Sequence, residues 1–209
     1  DIVPQHRMCR APGLPPQPIL WQAAGAIRLA YEEFSRMTPI GYRRLILTRH
    51  AKSSWDDPDT PDIDRPLNAR GRAAARELGD FLASRGLEPE EVLCSTALRT
   101  RETWAGVQSA VLESLPEVRF IEELYHADPG GLLSVLKTAT APTVMMICHN
   151  PGIAAFAARL PARPVFDPDF RKFPTCATAV IDFQIDRWSQ VHPGRGSLFD
   201  FFTPSNRKQ

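Results

Sequence analysis

Leu45-Ile46-Leu47-Thr48-Arg49-His50 is a short apolar run that ends in an adjacent cation and imidazole, where a polar loop begins. A continuous apolar run of this kind, rather than an alternating one, belongs to a strand covered on both faces. The same design recurs twice: Val92-Leu93-Cys94-Ser95 leads to Arg99, and Val144-Met145-Met146-Ile147-Cys148 leads to His149. Three strands therefore deliver charge or imidazole to one edge.

Outward from these runs the chain alternates. The patterning predicts strands at 44–49, 91–95, 118–122 and 143–148, helices at about 68–85, 98–112, 130–139 and 152–160, and late strands near 177–184 and 197–202. Asn68 is placed to cap the first of those helices. Alternating units with buried strands imply an α/β fold, a three-layer αβα sandwich with a mostly parallel central sheet. Ligands in such folds bind beyond the carboxyl ends of the strands, where Arg49, His50, Arg99 and His149 fall.

The 209 residues suit one domain with a substantial core. Lys and Arg total 25 against 24 Asp and Glu, and a net charge of +1 supplies no field that would hold nucleic acid or an anionic membrane. Any preference for anions must be local. Cys9, Cys94, Cys148 and Cys176 show no C-x-x-C spacing, and two of them lie inside apolar runs, which fits reduced thiols in a cytoplasmic protein. The longest charge-free stretch, Ala11 to Ile27, is broken by four prolines, so neither a membrane span nor a cleaved secretory signal is expected.

Composition shifts near residue 40. Prolines at 4, 12, 15, 16, 18 and 39, without apolar periodicity before Ile19, make residues 1–40 a flexible N-terminal extension to a domain at 41–209. Ile19 to Phe34 can form a short amphipathic helix, and Met37 stands where the compact domain could naturally start, so residues 1–36 are expected to lie upstream of the native start.

The four strand-end residues share one chemistry. A neutral imidazole can attack phosphorus and form a labile N-phosphorylated intermediate. Arginine grips phosphoryl oxygens with a planar fork that stays charged, and loss of one such contact typically costs about 3 kcal/mol of transition-state stabilisation. Nearby arginines also disfavour an imidazolium, which keeps the nucleophile unprotonated.

Leu47-Thr48-Arg49-His50-Ala51-Lys52, Ser95-Thr96-Ala97-Leu98-Arg99 with Thr103, and Cys148-His149-Asn150-Pro151-Gly152 together resemble the histidine phosphatase, or phosphoglycerate mutase-like, superfamily. The short chain and Arg49-His50-Ala51-Lys52-Ser53-Ser54-Trp55 look like its SixA-like phosphohistidine phosphatase branch, over roughly residues 43–203. Ala51 replaces the glycine of the usual Arg-His-Gly. The resemblance implies that His50 is the phosphorylated nucleophile, that Arg49 and Arg99 bind the phosphoryl group, and that His149 donates a hydrogen bond to it. It also implies a general acid after the third strand, with Glu123 the first choice in Glu122-Glu123-Leu124-Tyr125-His126. The implied enzyme uses no cofactor or metal and dephosphorylates phosphohistidine on a protein partner, working as a monomer or weak dimer. A phosphomonoesterase acting on a small phosphate ester is the alternative, and a non-catalytic phosphate-binding module is a rival of another class.

Other positions keep two readings. Lys52 adds positive charge after the nucleophile and could bind substrate, and Trp55 could line the pocket or cap the core. Asn150 precedes a helix whose amides would face the same anion. Thr103 either buttresses Arg99 or packs, Arg65 touches substrate or pairs with Asp64, and His126 faces the pocket mouth or solvent. Arg101 is expected on the surface. The run Asp56, Asp57, Asp59, Asp62 and Asp64 lacks the glycine and terminal glutamate of a calcium loop and reads as a solvated acidic loop.

Overall fold

The computed structural model describes residues 41–111 and 115–205, so the expected extension at 1–40 and its helix lie outside the described residues. Six strands, β1 (Tyr42–Arg49), β2 (Glu91–Ser95), β3 (Glu117–Ile121), β4 (Thr143–Cys148), β5 (Thr178–Gln184) and β6 (Ser197–Phe202), form one sheet in the order β3-β2-β4-β1-β5-β6. The first four run parallel, whereas β5 lies antiparallel to β1 and β6 antiparallel to β5. Parallel neighbours need crossover connections, and the helices between β1 and β4 supply them.

Those helices are α1 (Ala69–Ser84), α2 (Leu98–Val111) and α3 (Pro129–Leu136), followed by α4 (Gly152–Arg159) and a short α5 (Pro168–Lys172). Periodicity cannot reveal α5, which has five residues, but Asp167 caps it by accepting from the amides of Asp169 and Phe170, with Pro168 in its first turn. As the sequence predicts, Asn68 caps α1 by accepting from the Gly71 amide at 2.8 Å.

Side chains alternate across the sheet and split the core in two. Leu45, Leu47, Leu93, Met146 and Ile181 pack against Leu132, Ile153, Phe156 and Phe170 of α3, α4 and α5. Ile46, Val92, Cys94, Met145 and Val180 pack against Ala75, Leu78, Leu82 and Val107 of α1 and α2. Both sheet faces are covered, which is why the strands read as continuous apolar runs. Among the described residues no helix is long and apolar enough to cross a membrane.

Candidate active site

Strand register sets the centre of the site. Arg49 at the end of β1 pairs with Cys148 at the end of β4, so the next residues, His50 and His149, leave the sheet side by side. Their ring centroids stand 5.1 Å apart. Cys94 of β2 pairs with Ile147, which brings Ser95 beside the same edge, where its hydroxyl meets His149 Nε2 at 2.8 Å.

His50 is buried, and its Nδ1 lies 2.8 Å from the Ala51 carbonyl oxygen. A carbonyl only accepts, so the ring proton stands on Nδ1 and the lone pair on Nε2. Desolvation holds the His50 pKa down at about 3, against its ordinary 6.5, and the charges of Arg99 and Arg49 push the same way despite the Ala51 hydrogen bond. Desolvation likewise lowers His149 to about 2, with His50 and Arg99 adding to the effect. Both imidazoles are thus neutral at ordinary pH.

The arginines stand around them. Arg49 donates from Nη1 to the Phe173 carbonyl at 2.9 Å, and its Nε is buried without a hydrogen-bond partner in the protein, as is His149 Nδ1. Burial, then the neighbouring Arg99, lowers the Arg49 pKa. Arg99 enters from the first turn of α2, is buried, and donates from Nη2 to Asp62 Oδ2 at 2.9 Å and from Nη1 to the Asp62 carbonyl. Thr103 lies one helical turn on. Its hydroxyl donates to the Arg99 carbonyl at 2.6 Å and accepts from the Ala51 amide at 2.9 Å, linking α2 to the loop after β1.

Two close approaches fix the surrounding loops. A Cβ on Gly71 would fall 2.1 Å from the Lys52 carbonyl oxygen, and one on Gly152 would fall 1.9 Å from that of Ala127. Only glycine therefore lets α1 seat against the loop after His50 and lets α4 start beneath residues 126–128.

Several residues take places other than those the sequence suggests. Glu123 is exposed on the turn after β3 and faces a groove with Arg119, Ile121 and Ser134. The carboxylate brought to the histidines is instead Asp62, from a 3-10 turn at Asp62–Asp64, so this acid is not simply part of a solvated loop. Its Oδ2 accepts from Tyr125 Oη at 2.7 Å as well as from Arg99. Partial burial opposes ionisation of Asp62, yet the bonds from Tyr125 and Arg99, with the charges of Arg99 and Arg65, hold it below the usual carboxylate range. Arg65 pairs with Asp62 rather than Asp64, binds the Ser54 carbonyl and lies 3.1 Å over the Trp55 ring. Trp55 is 72% exposed and does not cap the core.

The amide nitrogen of Asn150 donates to the carbonyls of Lys172 and Phe173, so this side chain ties loops together rather than presenting its donors to the pocket. Lys52 is half-buried, and its carbonyl accepts from the Asn68 amide. Arg101 is exposed beside Phe120, as expected. His126 does stand at the mouth, with its ring 6.1 Å from that of His149 and Nε2 3.9 Å from Asp62 Oδ2. Cys94, Cys148 and Cys176 are free, and burial raises each thiol pKa, which leaves them unreactive.

Fold and strand-edge geometry define an α/β protein that gathers two arginines and two buried histidines at the carboxyl ends of β1, β2 and β4. Residues 45–132 match the family model of the histidine phosphatase superfamily, branch 1. Among solved structures, the chain resembles the candidate phosphohistidine phosphatase SixA of Nakamurella multipartitia at 29% identity and a TM-score of 0.68, covering 80% of this chain and 99% of that one. It resembles the SixA candidate of Agrobacterium tumefaciens at 31% identity and a TM-score of 0.63, covering 78% and 99%. An uncharacterised chloroplastic protein of Arabidopsis thaliana is 35% identical over 180 residues, 78% of this chain and 79% of the relative. The chain belongs to the histidine phosphatase superfamily, in its SixA-like branch, and is a phosphatase.

Proposed function

We propose that this phosphatase removes the phosphoryl group from phosphohistidine on a protein partner, through a covalent intermediate on Nε2 of His50. The observation that carries the reading is the hydrogen bond from His50 Nδ1 to the Ala51 carbonyl, which leaves a neutral ring with its lone pair on Nε2. In the first step Nε2 attacks phosphorus, the bond from phosphorus to the substrate nitrogen breaks, and its electron pair leaves with the substrate imidazole. In the second step water attacks the phosphoryl group on His50, releases phosphate and restores the imidazole. Neither step calls for a metal or a cofactor.

Arg49 and Arg99 bind the phosphoryl oxygens and offset the charge that spreads over them in flight. We assign the Ser95 hydroxyl as the donor to His149 Nε2, which places the His149 proton on Nδ1, ready for a phosphoryl oxygen. Buried donors without partners cost on the order of 1–3 kcal/mol each, so Arg49 Nε and His149 Nδ1 favour a bound anion.

The leaving group separates phosphohistidine from a small phosphate ester. An alkoxide must be handed a proton, whereas an imidazole protonates near neutral pH. Asp62, the carboxylate nearest the pocket, is kept ionised and is a poor proton donor, which favours the nitrogen leaving group. Similarity to the two SixA candidates supports the same substrate class.

The test is to incubate the protein with a phosphodonor and follow an acid-labile label, alongside turnover of phosphohistidine peptide and of small esters. Label on the wild type and none on His50→Ala is expected. An unlabelled wild type rejects the covalent step, and turnover of esters without action on phosphohistidine rejects the substrate.

A further inference from the structure

Asp62 is buttressed far more than a loop aspartate requires. Arg99 from α2 and Tyr125 from the turn after β3 both donate to its Oδ2, at 2.9 and 2.7 Å, and Arg65 of its own loop reaches Oδ1 at 3.4 Å. The remaining ionisable group at this carboxylate is His126, with Nε2 at 3.9 Å, while His50 and His149 feel its charge from the pocket floor. Contact with Asp62 takes two donations from Arg99, one of them to the main chain, and a guanidinium has five N–H groups. Arg99 can therefore hold Asp62 and a phosphoryl group together.

An imidazole already lies in this corner. The His126 ring sits 4.0 Å from the Tyr125 ring, beside the Asp62 carboxylate, while the Tyr125 ring stands edge-on to His149 at 5.4 Å. Tyr125 ring, carboxylate and buried histidine thus stand together in a corner whose chemistry suits a flat, protonatable ring, and the chain's own His126 imidazole shows that such a ring packs against Tyr125.

We infer that Asp62 and Tyr125 form the subsite for the leaving imidazole of the substrate, and that Asp62 selects a protonated nitrogen leaving group by accepting a hydrogen bond from its remote N–H. This rests on the phosphohistidine reading above. With the remote nitrogen protonated, attack by His50 Nε2 breaks the phosphorus–nitrogen bond, the electron pair stays on the substrate ring, and the group departs as neutral imidazole. No proton donor is needed. A carboxylate at the remote N–H keeps that protonated form populated at pH values where the free substrate would lose it. The same carboxylate repels the electron-rich oxygen of an ester leaving group.

The experiment compares kcat/KM for a phosphohistidine peptide and for p-nitrophenyl phosphate, from mildly acidic to mildly alkaline pH, in wild type, Asp62→Asn and Asp62→Glu. Each variant is read as the ratio of the two substrates on one preparation, which does not depend on the fraction folded. Asp62→Asn is expected to lower the ratio of peptide to aryl ester about tenfold or more, as loss of a hydrogen bond to a charged group does, with the deficit widening as pH rises. Asp62→Glu should recover part of it. Equal losses on both substrates would overturn the inference and leave Asp62 as a support for Arg99 alone. A wild type that turns over the aryl ester and ignores the peptide would overturn the substrate reading itself, and this inference with it.

Discussion

The floor and the wall of the pocket are held by different means. On the floor, His50, Arg99 and His149 are 8%, 5% and 4% exposed, and they stand on strand ends or the first turn of a helix. On the wall, the side chains of Asp62 and His126 are 48% and 61% exposed and ride on turns. Sheet register places the floor, and several polar contacts around one carboxylate place the wall. On the proposed reading bond-making belongs to the floor and choice of substrate to the wall, so a change at the floor should strike every substrate alike while a change at the wall should sort among them.

The sharpest break of that contrast is at the proposed nucleophile. His50→Ala is expected to lower turnover of peptide and aryl ester together by about 10⁴-fold or more, measured as kcat in the steady state. Arg99→Lys keeps the charge but loses the fork, and should reduce kcat/KM by about 10²–10³-fold on both substrates. A large difference between substrates in either variant would put selectivity on the floor.

Acid should also expose the floor. Folding holds His50 down at about 3 and His149 at about 2, while an unfolded histidine titrates near 6.5, so the unfolded chain takes up more protons as pH falls below 6.5. Stability is therefore lost on acidification through this window, by about 1.4 kcal/mol per pH unit for each imidazole. Denaturant titrations over the window should show the slope, and His50→Ala should flatten it; an unchanged slope would mean that His50 is protonated in the folded protein. The smallest effect belongs to the wall. Tyr125→Phe removes one hydrogen bond to Asp62 and should shift the ratio of the two substrates about fivefold, read in the same assays.

The same contrast explains what could be read from the sequence. His50, Arg99 and His149 follow apolar runs whose pattern announces buried strands, so their shared edge follows from how parallel sheets are wound. The four parallel strands and their helices lie within a few residues of their expected bounds. Asp62 carries no such mark, because it sits in an acidic run whose composition suits solvent, and its partner Arg99 is 37 positions away. Ser95 was visible as a strand residue, but its bond to His149 depends on the order in which β2 and β4 pair. Tyr125 and His126 adjoin Glu123, and which of the three turns inward is decided by the 3-10 turn at Glu122–Leu124, too short to leave a period.

Thr103 gives the pocket a fixed gauge. One hydroxyl takes the Ala51 amide, next to His50, and gives its own hydrogen to the Arg99 carbonyl. The bond back to the residue four positions earlier is a habit of threonine in helices, and its branched Cβ leaves few rotamers to choose from. The spacing between β1 and α2 at this point is thereby tied to a single stiff torsion, and one side chain joins helix to sheet.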